Sequence, residues 1–135
     1  MEEKRESRDY FRGTETSVIE LSPRDFDPIK TYKLASKRCS AVMFYAPWCG
    51  FCKKSEEVWR RLADSIAFAD VCAFNCEKHK GHVMKMNQDH PSKAFVKSYP
   101  TIVLYRNGEP FKTYQEDRNY ESLLTAMMTC RSSKF

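Results

Sequence analysis

The chain has 135 residues, of which 41% are hydrophobic and 30% are charged, and this composition predicts a single globular domain. The formal net charge of +5 comes from scattered basic residues rather than from a basic stripe, so we expect no nucleic-acid partner. No stretch approaches the roughly 20 apolar residues that a membrane span needs, so we also expect no membrane association.

Both ends of the chain are rich in charged or polar residues. Residues 1–16 lack the apolar core of a signal peptide, and they predict a flexible charged N-terminal segment ahead of a single folded domain over residues 17–135. The last five residues are not an endoplasmic reticulum retention signal. The sequence as written therefore predicts a cytoplasmic protein, or one of the endoplasmic reticulum lumen if a targeting segment is missing.

Beyond residue 16, strand patterns alternate with helix patterns along the chain. Short apolar runs predict strands over residues 17–21, 40–45, 71–76, 101–105 and 110–114. Helical spacing and capping signals predict helices over residues 22–37, 49–67, 82–88 and from 119 onward. The pair Asn107-Gly108 predicts a tight hairpin turn between the last two strands. This alternation indicates an α/β fold in which a central mixed sheet is flanked by helices on both faces.

The sequence contains six cysteines, and two of them form the pattern Cys49-Gly50-Phe51-Cys52 between a buried strand and the start of a helix. At a helix N-terminus, free backbone N–H groups and the helix dipole stabilise negative charge, so Cys49 is well placed to act as a thiolate nucleophile. Cys52 lies one turn further into the helix. There we expect it to be more buried and to stay protonated until it resolves a mixed disulfide.

Three segments carry a resemblance to a known family. The run from Phe44 to Cys52 closely resembles the active site of protein disulfide isomerases and, more broadly, of thioredoxins. Tyr99-Pro100-Thr101 resembles the cis-proline motif of that family, and residues 111–118 resemble an isomerase segment that ends in an arginine. The resemblance spans residues 17–130 and implies the thioredoxin fold, most similar to a catalytic a-type domain of a protein disulfide isomerase.

The resemblance also implies roles for particular residues. Cys49 would attack a substrate disulfide, Cys52 would resolve the mixed disulfide, and Arg118 would aid the deprotonation of Cys52. The residues implied to form the substrate face are Trp48, Gly50, Phe51, Tyr99, Pro100 and Thr101. An extended polypeptide would lie against the backbone near the proline, bound by strand-like hydrogen bonds.

The sequence departs from the family pattern at three positions. Met43 stands where the family usually has a buried acid that accepts the proton of the resolving thiol, and Ala73 stands where it often has the paired lysine. Losing both members of a buried ion pair is consistent, because one buried charge left alone would be costly. Phe51 stands where isomerases have histidine and thioredoxins have proline, so the resemblance implies an intermediate reduction potential.

The leading interpretation is a protein thiol–disulfide oxidoreductase of the disulfide isomerase or thioredoxin kind. Its partners would be protein or peptide thiols and disulfides, with a reductase, glutathione or an oxidase as electron partner. We expect a monomer that needs no organic cofactor, since the redox group is the Cys49–Cys52 disulfide. The alternative is a thioredoxin-fold binding or chaperone module with weak or no turnover, which Met43 and Ala73 favour.

The remaining cysteines leave further alternatives. Cys72 and Cys76 are interpreted as buried core thiols, with a regulatory disulfide as the alternative. Cys39 and Cys130 are interpreted as simple packing or surface thiols. A Cys-x-x-Cys pair can also be half of a zinc site, but the other cysteines and the histidines form no clean second ligand pair, so we expect no metal.

Overall fold

A computed structural model describes residues 6–131, with the backbone alone at Arg131, and it is built on a five-stranded sheet. The strands are β1 (Ile19–Leu21), β2 (Ser40–Tyr45), β3 (Asp70–Asn75), β4 (Thr101–Arg106) and β5 (Glu109–Tyr114). Their order across the sheet is β1-β3-β2-β4-β5. The first three pair in parallel, whereas β4 and β5 run antiparallel, so the predicted mixed sheet is confirmed.

Three helices cover the two faces of this sheet. They are α1 (Gly50–Ser65), α2 (Lys80–Asp89) and α3 (Tyr120–Arg131). Leu62 of α1 and Met127 of α3 share one apolar cluster, whereas Met86 of α2 belongs to a second cluster on the other face. Strand β2 is buried on both sides, because Met43 faces the first cluster and Phe44 faces the second. The predicted α/β architecture with helices on both faces is therefore confirmed.

The hairpin between β4 and β5 turns where the sequence predicted. Asn107 and Gly108 both have positive φ angles, of 56° and 83°, as a two-residue hairpin turn of this kind requires. A Cβ atom at Gly108 would lie 2.8 Å from the carbonyl oxygen of Leu34, so glycine is needed for close packing as well as for its backbone angle.

The helix predicted over residues 22–37 is wrong. Only Pro23–Asp25 forms a short 3₁₀ turn, and the rest is a loop closed by a bridge between Phe26 and Leu34. The Asp27 carboxylate accepts hydrogen bonds from the backbone N–H groups of Ile29 and Lys30, at 2.9 and 2.8 Å. This local turn captures the donors that a helix would use, so the helical pattern does not propagate.

The N-terminal segment differs from the expectation of a separate flexible segment. Residues 1–5 lie outside the described part of the chain, but Phe11 is only 2% exposed and belongs to the core cluster of β2 and α1. Tyr10 stacks on Tyr45 with ring centroids 4.4 Å apart. Residues 7–14 therefore pack onto the domain. The sequence did not predict this packing because the two aromatic residues lie among charged residues.

Two cysteines also correct the sequence interpretation. Cys39 and Cys130 are bonded as a disulfide, with Cα atoms 5.9 Å apart, rather than being separate packing or surface thiols. The bond ties the start of β2 to the last turn of α3. Cys72 and Cys76 are free and buried, and burial raises the pKa of both thiols.

Candidate active site

The loop from Ala46 to Trp48 leads from β2 into α1 and delivers Cys49 to the N-cap position of that helix. The Cys49 N–H donates to the carbonyl of Ala46 at 2.9 Å, and the Cys49 carbonyl accepts from the N–H of Lys53 at 3.1 Å. Its side chain is half-exposed and free. The sulfur is therefore partly accessible to solvent and lies at the N-terminus of α1, the end of the helix where negative charge is stabilised.

Cys52 lies one turn inside α1 and is 0% exposed. Burial raises the pKa of its thiol to about 12, and the hydrogen bond with Cys49 adds to that rise. A hydrogen bond with the backbone of Ala46 and the charge of Arg118 act in the opposite direction, and they do not overcome the burial. Cys52 is therefore a protonated thiol at neutral pH in this arrangement.

The Tyr99-Pro100 bond is cis and lies beside the cysteine pair. The Cys49 thiol donates a hydrogen bond to the carbonyl oxygen of Tyr99 at 3.5 Å, which joins the two predicted motifs directly. Thr101 begins β4, and its hydroxyl donates to the carbonyl of Ser98 at 2.6 Å. The three residues of the predicted proline motif thus form one edge of the site.

Trp48 covers the other side of the loop and is 37% exposed. Its indole N–H donates to the Glu77 carboxylate at 2.7 Å, and its ring meets Tyr99 edge-on with centroids 6.0 Å apart. A cavity of about 390 Å³ opens beside it, lined in part by Val83 and Met84 of α2. Because Trp48 and Tyr99 both line this cavity, it adjoins the edge of the site that carries the cis-proline.

The remaining predicted site residues lie around the rim. Gly50 is exposed with open space at its Cα, and the Phe51 side chain is 61% exposed, with the Lys54 ammonium 5.5 Å from its ring centre. Arg118 is exposed in the connection between β5 and α3. It lies close enough for its charge to lower the pKa of Cys52.

Two of the three departures from the family pattern lie side by side on neighbouring strands. Met43 of β2 and Ala73 of β3 are register partners, and both are 0% exposed. Both also belong to the core cluster that contains Cys52. Cys52 therefore shares its apolar cluster with Met43 and Ala73 rather than with an acid and its lysine.

A polar network that was not predicted from the sequence lies behind the loop. The Tyr45 hydroxyl and the Phe11 N–H both donate to Glu20 Oε2, at 2.7 and 3.0 Å. Burial raises the pKa of Glu20 to about 7, and the second carboxylate oxygen has no hydrogen-bond partner. The only sequence signal for this network was the aromatic pair Tyr10-Phe11 inside a charged segment.

A free Cys-x-x-Cys pair at a helix N-terminus, beside a cis-proline on a mixed five-stranded sheet, defines the thioredoxin class of domain. Agreement with known sequences is direct: the thioredoxin family model matches residues 17–129. The chain belongs to the thioredoxin family.

The most similar curated proteins include several protein disulfide isomerases. The chain is 31% identical over 112 residues to protein disulfide-isomerase like 2-2 of Arabidopsis thaliana, which covers 82% of the chain. It is 31% identical to protein disulfide-isomerase of Saccharomyces cerevisiae and 34% identical to protein disulfide-isomerase A5 of Mus musculus, with 87% of the chain covered in each case. The matched region spans 23%, 21% and 21% of these relatives' own lengths.

Solved structures agree with this assignment. The J-Trx1 fragment of ERdj5 matches with a TM-score of 0.65 and 30% identity, covering 86% of this chain and 53% of that one. Spinach chloroplast thioredoxin F in its short form matches with a TM-score of 0.64 and 19% identity, covering 86% and 95%, which supports the fold alone. Within residues 6–131, no helix combines the length and apolarity needed to cross a membrane.

Proposed function

We propose that the domain is a protein thiol–disulfide oxidoreductase in which Cys49 is the nucleophile and Cys52 is the resolving thiol. The observation that carries this proposal is the asymmetry of the pair. Cys49 is half-exposed at the N-cap of α1 and touches the Tyr99 carbonyl, whereas Cys52 is fully buried one turn behind it. The Cys49 sulfur is therefore accessible to a substrate disulfide, whereas the Cys52 sulfur is shielded from it.

In the reductive direction, the Cys49 thiolate attacks one sulfur of a substrate disulfide. A bond forms between Cys49 and that sulfur, and the other substrate sulfur leaves as a thiolate that takes up a proton. Cys52 then loses its proton and attacks the Cys49 sulfur, which releases the second substrate thiol and leaves a Cys49–Cys52 disulfide. Two electrons pass from the dithiol to the substrate, and the reverse sequence oxidises a substrate dithiol.

The Tyr99-Pro100-Thr101 edge supports recognition of an extended polypeptide. The Tyr99 carbonyl lies within hydrogen-bonding distance of the reacting sulfur, and Thr101, the first residue of β4 after the cis bond, is half-buried. Backbone groups beside a reactive thiol can pair with a substrate strand whatever its side chains are. We propose protein and peptide thiols or disulfides as substrates, with Trp48 and Phe51 as exposed apolar contacts.

Arg118 is proposed to assist the second step. Its charge lowers the pKa of Cys52, although burial has the larger effect and raises it. A cation that approaches a developing thiolate stabilises it. With Met43 and Ala73 in place of an acid and a lysine, Arg118 is the charged group proposed to help the resolving thiol ionise.

A second candidate function is a binding module that holds partners as mixed disulfides. The specific observation is the apolar environment of Cys52, whose pKa is about 12 and which has Met43 and Ala73 nearby instead of an ion pair. Slow deprotonation of Cys52 would prolong the mixed disulfide at Cys49. The lifetime of that species distinguishes a capturing module from an enzyme.

The deciding experiment equilibrates the protein with glutathione buffers and measures the fraction of Cys49–Cys52 disulfide. Reduction of a model protein disulfide is assayed alongside it, with Cys49→Ser, Cys52→Ser and the buried-thiol control Cys72→Ser. We expect loss of activity with Cys49→Ser, trapped mixed disulfides with Cys52→Ser, and little change with Cys72→Ser. A wild-type pair that never forms a disulfide would refute the redox proposal, whereas retained partner binding by a Cys49→Ser/Cys52→Ser variant would favour a non-covalent module.

We further propose an oxidising compartment for this domain, such as the endoplasmic reticulum lumen, in place of the expected cytoplasm. The Cys39–Cys130 disulfide supports this proposal, because structural disulfides persist mainly in oxidising compartments. Acid quenching and alkylation of the protein from its own cells, followed by mass spectrometry, tests it. Free thiols at both positions would contradict this proposal and indicate a reducing compartment.

A further inference from the structure

A strap formed by residues 7–14 crosses behind the active-site loop and is attached to the elements on both sides of it. On one side, the Asn75 side chain at the end of β3 donates to the Ser7 carbonyl and to the Asp9 carboxylate, both at 2.9 Å. On the other side, the Arg60 guanidinium of α1 donates to the Tyr10 carbonyl at 3.3 Å. The strap therefore spans from the sheet to the helix that carries the cysteines.

Tyr10 is the centre of this strap. Its N–H donates to the Tyr45 hydroxyl at 2.9 Å, and its ring stacks on the Tyr45 ring. Its own hydroxyl donates to the Pro47 carbonyl at 3.1 Å and lies 3.5 Å from the Ala46 carbonyl. Tyr45 is the last residue of β2, so Tyr10 contacts both the end of the strand and the loop that follows it.

The Ala46 carbonyl, 3.5 Å from the Tyr10 hydroxyl, also anchors Cys49. The Cys49 N–H donates to the Ala46 oxygen, so the turn from Ala46 to Cys49 sets where the sulfur lies relative to the first N–H groups of α1. A hydroxyl that satisfies the loop carbonyls holds this turn and reduces the negative potential that those oxygens direct at a nearby thiolate. Both effects favour the charged sulfur over the disulfide.

We propose that Tyr10 is a positioning residue for the redox pair, acting through its hydroxyl on the loop from Ala46 to Trp48. This inference rests on the proposed function, because it assigns a way in which the reactivity of that same pair is set. Tyr10 contacts the loop behind the cysteine pair through its hydroxyl. It acts on the carbonyl groups that precede Cys49.

The test compares Tyr10→Phe with the wild-type protein. The substitution keeps the ring, its stacking on Tyr45 and the backbone contacts, and it removes only the hydroxyl donor. Two readouts are measured: the rate of Cys49 alkylation by iodoacetamide at pH 7 in the reduced protein, and the equilibrium constant of the pair with glutathione. Loss of one hydrogen bond that favours the thiolate is expected to slow alkylation about threefold. The equilibrium should shift about threefold towards the disulfide, which is ~14 mV in reduction potential.

Tyr120→Phe is the matched control. It also removes one hydroxyl, which donates to Ser65 at 3.1 Å at the far end of α1, and it should leave both readouts unchanged. Far-ultraviolet circular dichroism confirms that each variant is folded. The inference is overturned if Tyr10→Phe behaves like the wild type in both readouts, or if Tyr120→Phe changes them equally.

The two readouts keep this test separate from that of the proposed function. A wild-type pair that forms no disulfide would end the redox proposal, but the alkylation rate of Cys49 would still report on the loop. If the pair is redox-active but Tyr10→Phe has the alkylation rate and potential of the wild-type protein, only the positioning role of Tyr10 is refuted.

Discussion

Replacing Cys39 and Cys130 with alanine removes the covalent link between the start of β2 and the last turn of α3. The two cysteines are 91 positions apart, so their bond closes a loop that contains most of the domain. The loop-closure entropy of an unfolded chain with a loop of this length corresponds to ~4–5 kcal/mol at 25 °C. Because small domains are stable by only about 5–15 kcal/mol in total, the loss should bring the protein close to unfolding.

Urea unfolding followed by the fluorescence of the buried Trp59 measures this loss. The variants are made in a Cys49→Ser/Cys52→Ser background, so that a reducing agent acts on one disulfide only. Either single alanine substitution should cost nearly as much as the double, because each one alone abolishes the link. Dithiothreitol should lower the stability of the parent protein to the same level and leave the double variant unchanged.

Two results would refute this reasoning. If the single substitutions cost different amounts that add up to the double, the effect would come from side-chain packing, since Cys130 is buried with its sulfur 3.4 Å from the Tyr105 carbonyl. If dithiothreitol left the urea midpoint of the parent unchanged, the link would not constrain the unfolded chain as assumed.

Three further predictions test separate parts of the structure. Glu20 has a folded pKa of about 7 against an ordinary 4.5, so its contribution to stability is full below pH 4.5 and is lost as the pH rises through 7. Urea titrations from pH 4.5 to 8 should show the stability of the wild type falling by up to ~3 kcal/mol relative to Glu20→Gln, and parallel curves would contradict this. Met43→Glu should lower the free energy of unfolding by ~3 kcal/mol because it leaves a buried charge unpaired, and Ala73→Lys at the register partner should partly restore that stability. Met43→Glu should also shorten the lifetime of a glutathione mixed disulfide at Cys49. Gly108→Ala should destabilise by more than ~1 kcal/mol because of its positive φ and its close carbonyl contact. The control Gly81→Ala in α2, which has open space, should be neutral or stabilising by up to ~1 kcal/mol in thermal melts.

Much of the sheet could be predicted because its signals are local. The continuous apolar run of β2 and the Asn107-Gly108 turn each report on a few neighbouring residues, and the structure places both as predicted. The start of α3 was also predictable, since the Asn119 side chain accepts the Ser122 N–H at 2.8 Å. The cysteine pair could be predicted from its spacing and the cis-proline from family resemblance, whereas the 3.5 Å contact between the Cys49 sulfur and the Tyr99 carbonyl is a tertiary feature.

What escaped prediction depends on distant partners. The Cys39–Cys130 bond joins positions 91 residues apart, and nothing near either cysteine identifies the other. Tyr10 and Phe11 look like isolated aromatics in a charged segment until Tyr45 and Glu20 are brought beside them. The helix prediction over residues 22–37 was wrong for the opposite reason, because a local side-chain turn at Asp27 outweighed a helical spacing.

The unequal exposure of the free cysteines has a practical consequence. Cys49 is half-exposed, whereas Cys52, Cys72 and Cys76 are buried and have raised pKa values. Buried, protonated thiols react slowly with electrophiles. A maleimide fluorophore or spin label added briefly to the folded, reduced protein would attach at Cys49 alone, and would report the binding of a polypeptide beside the cysteine pair.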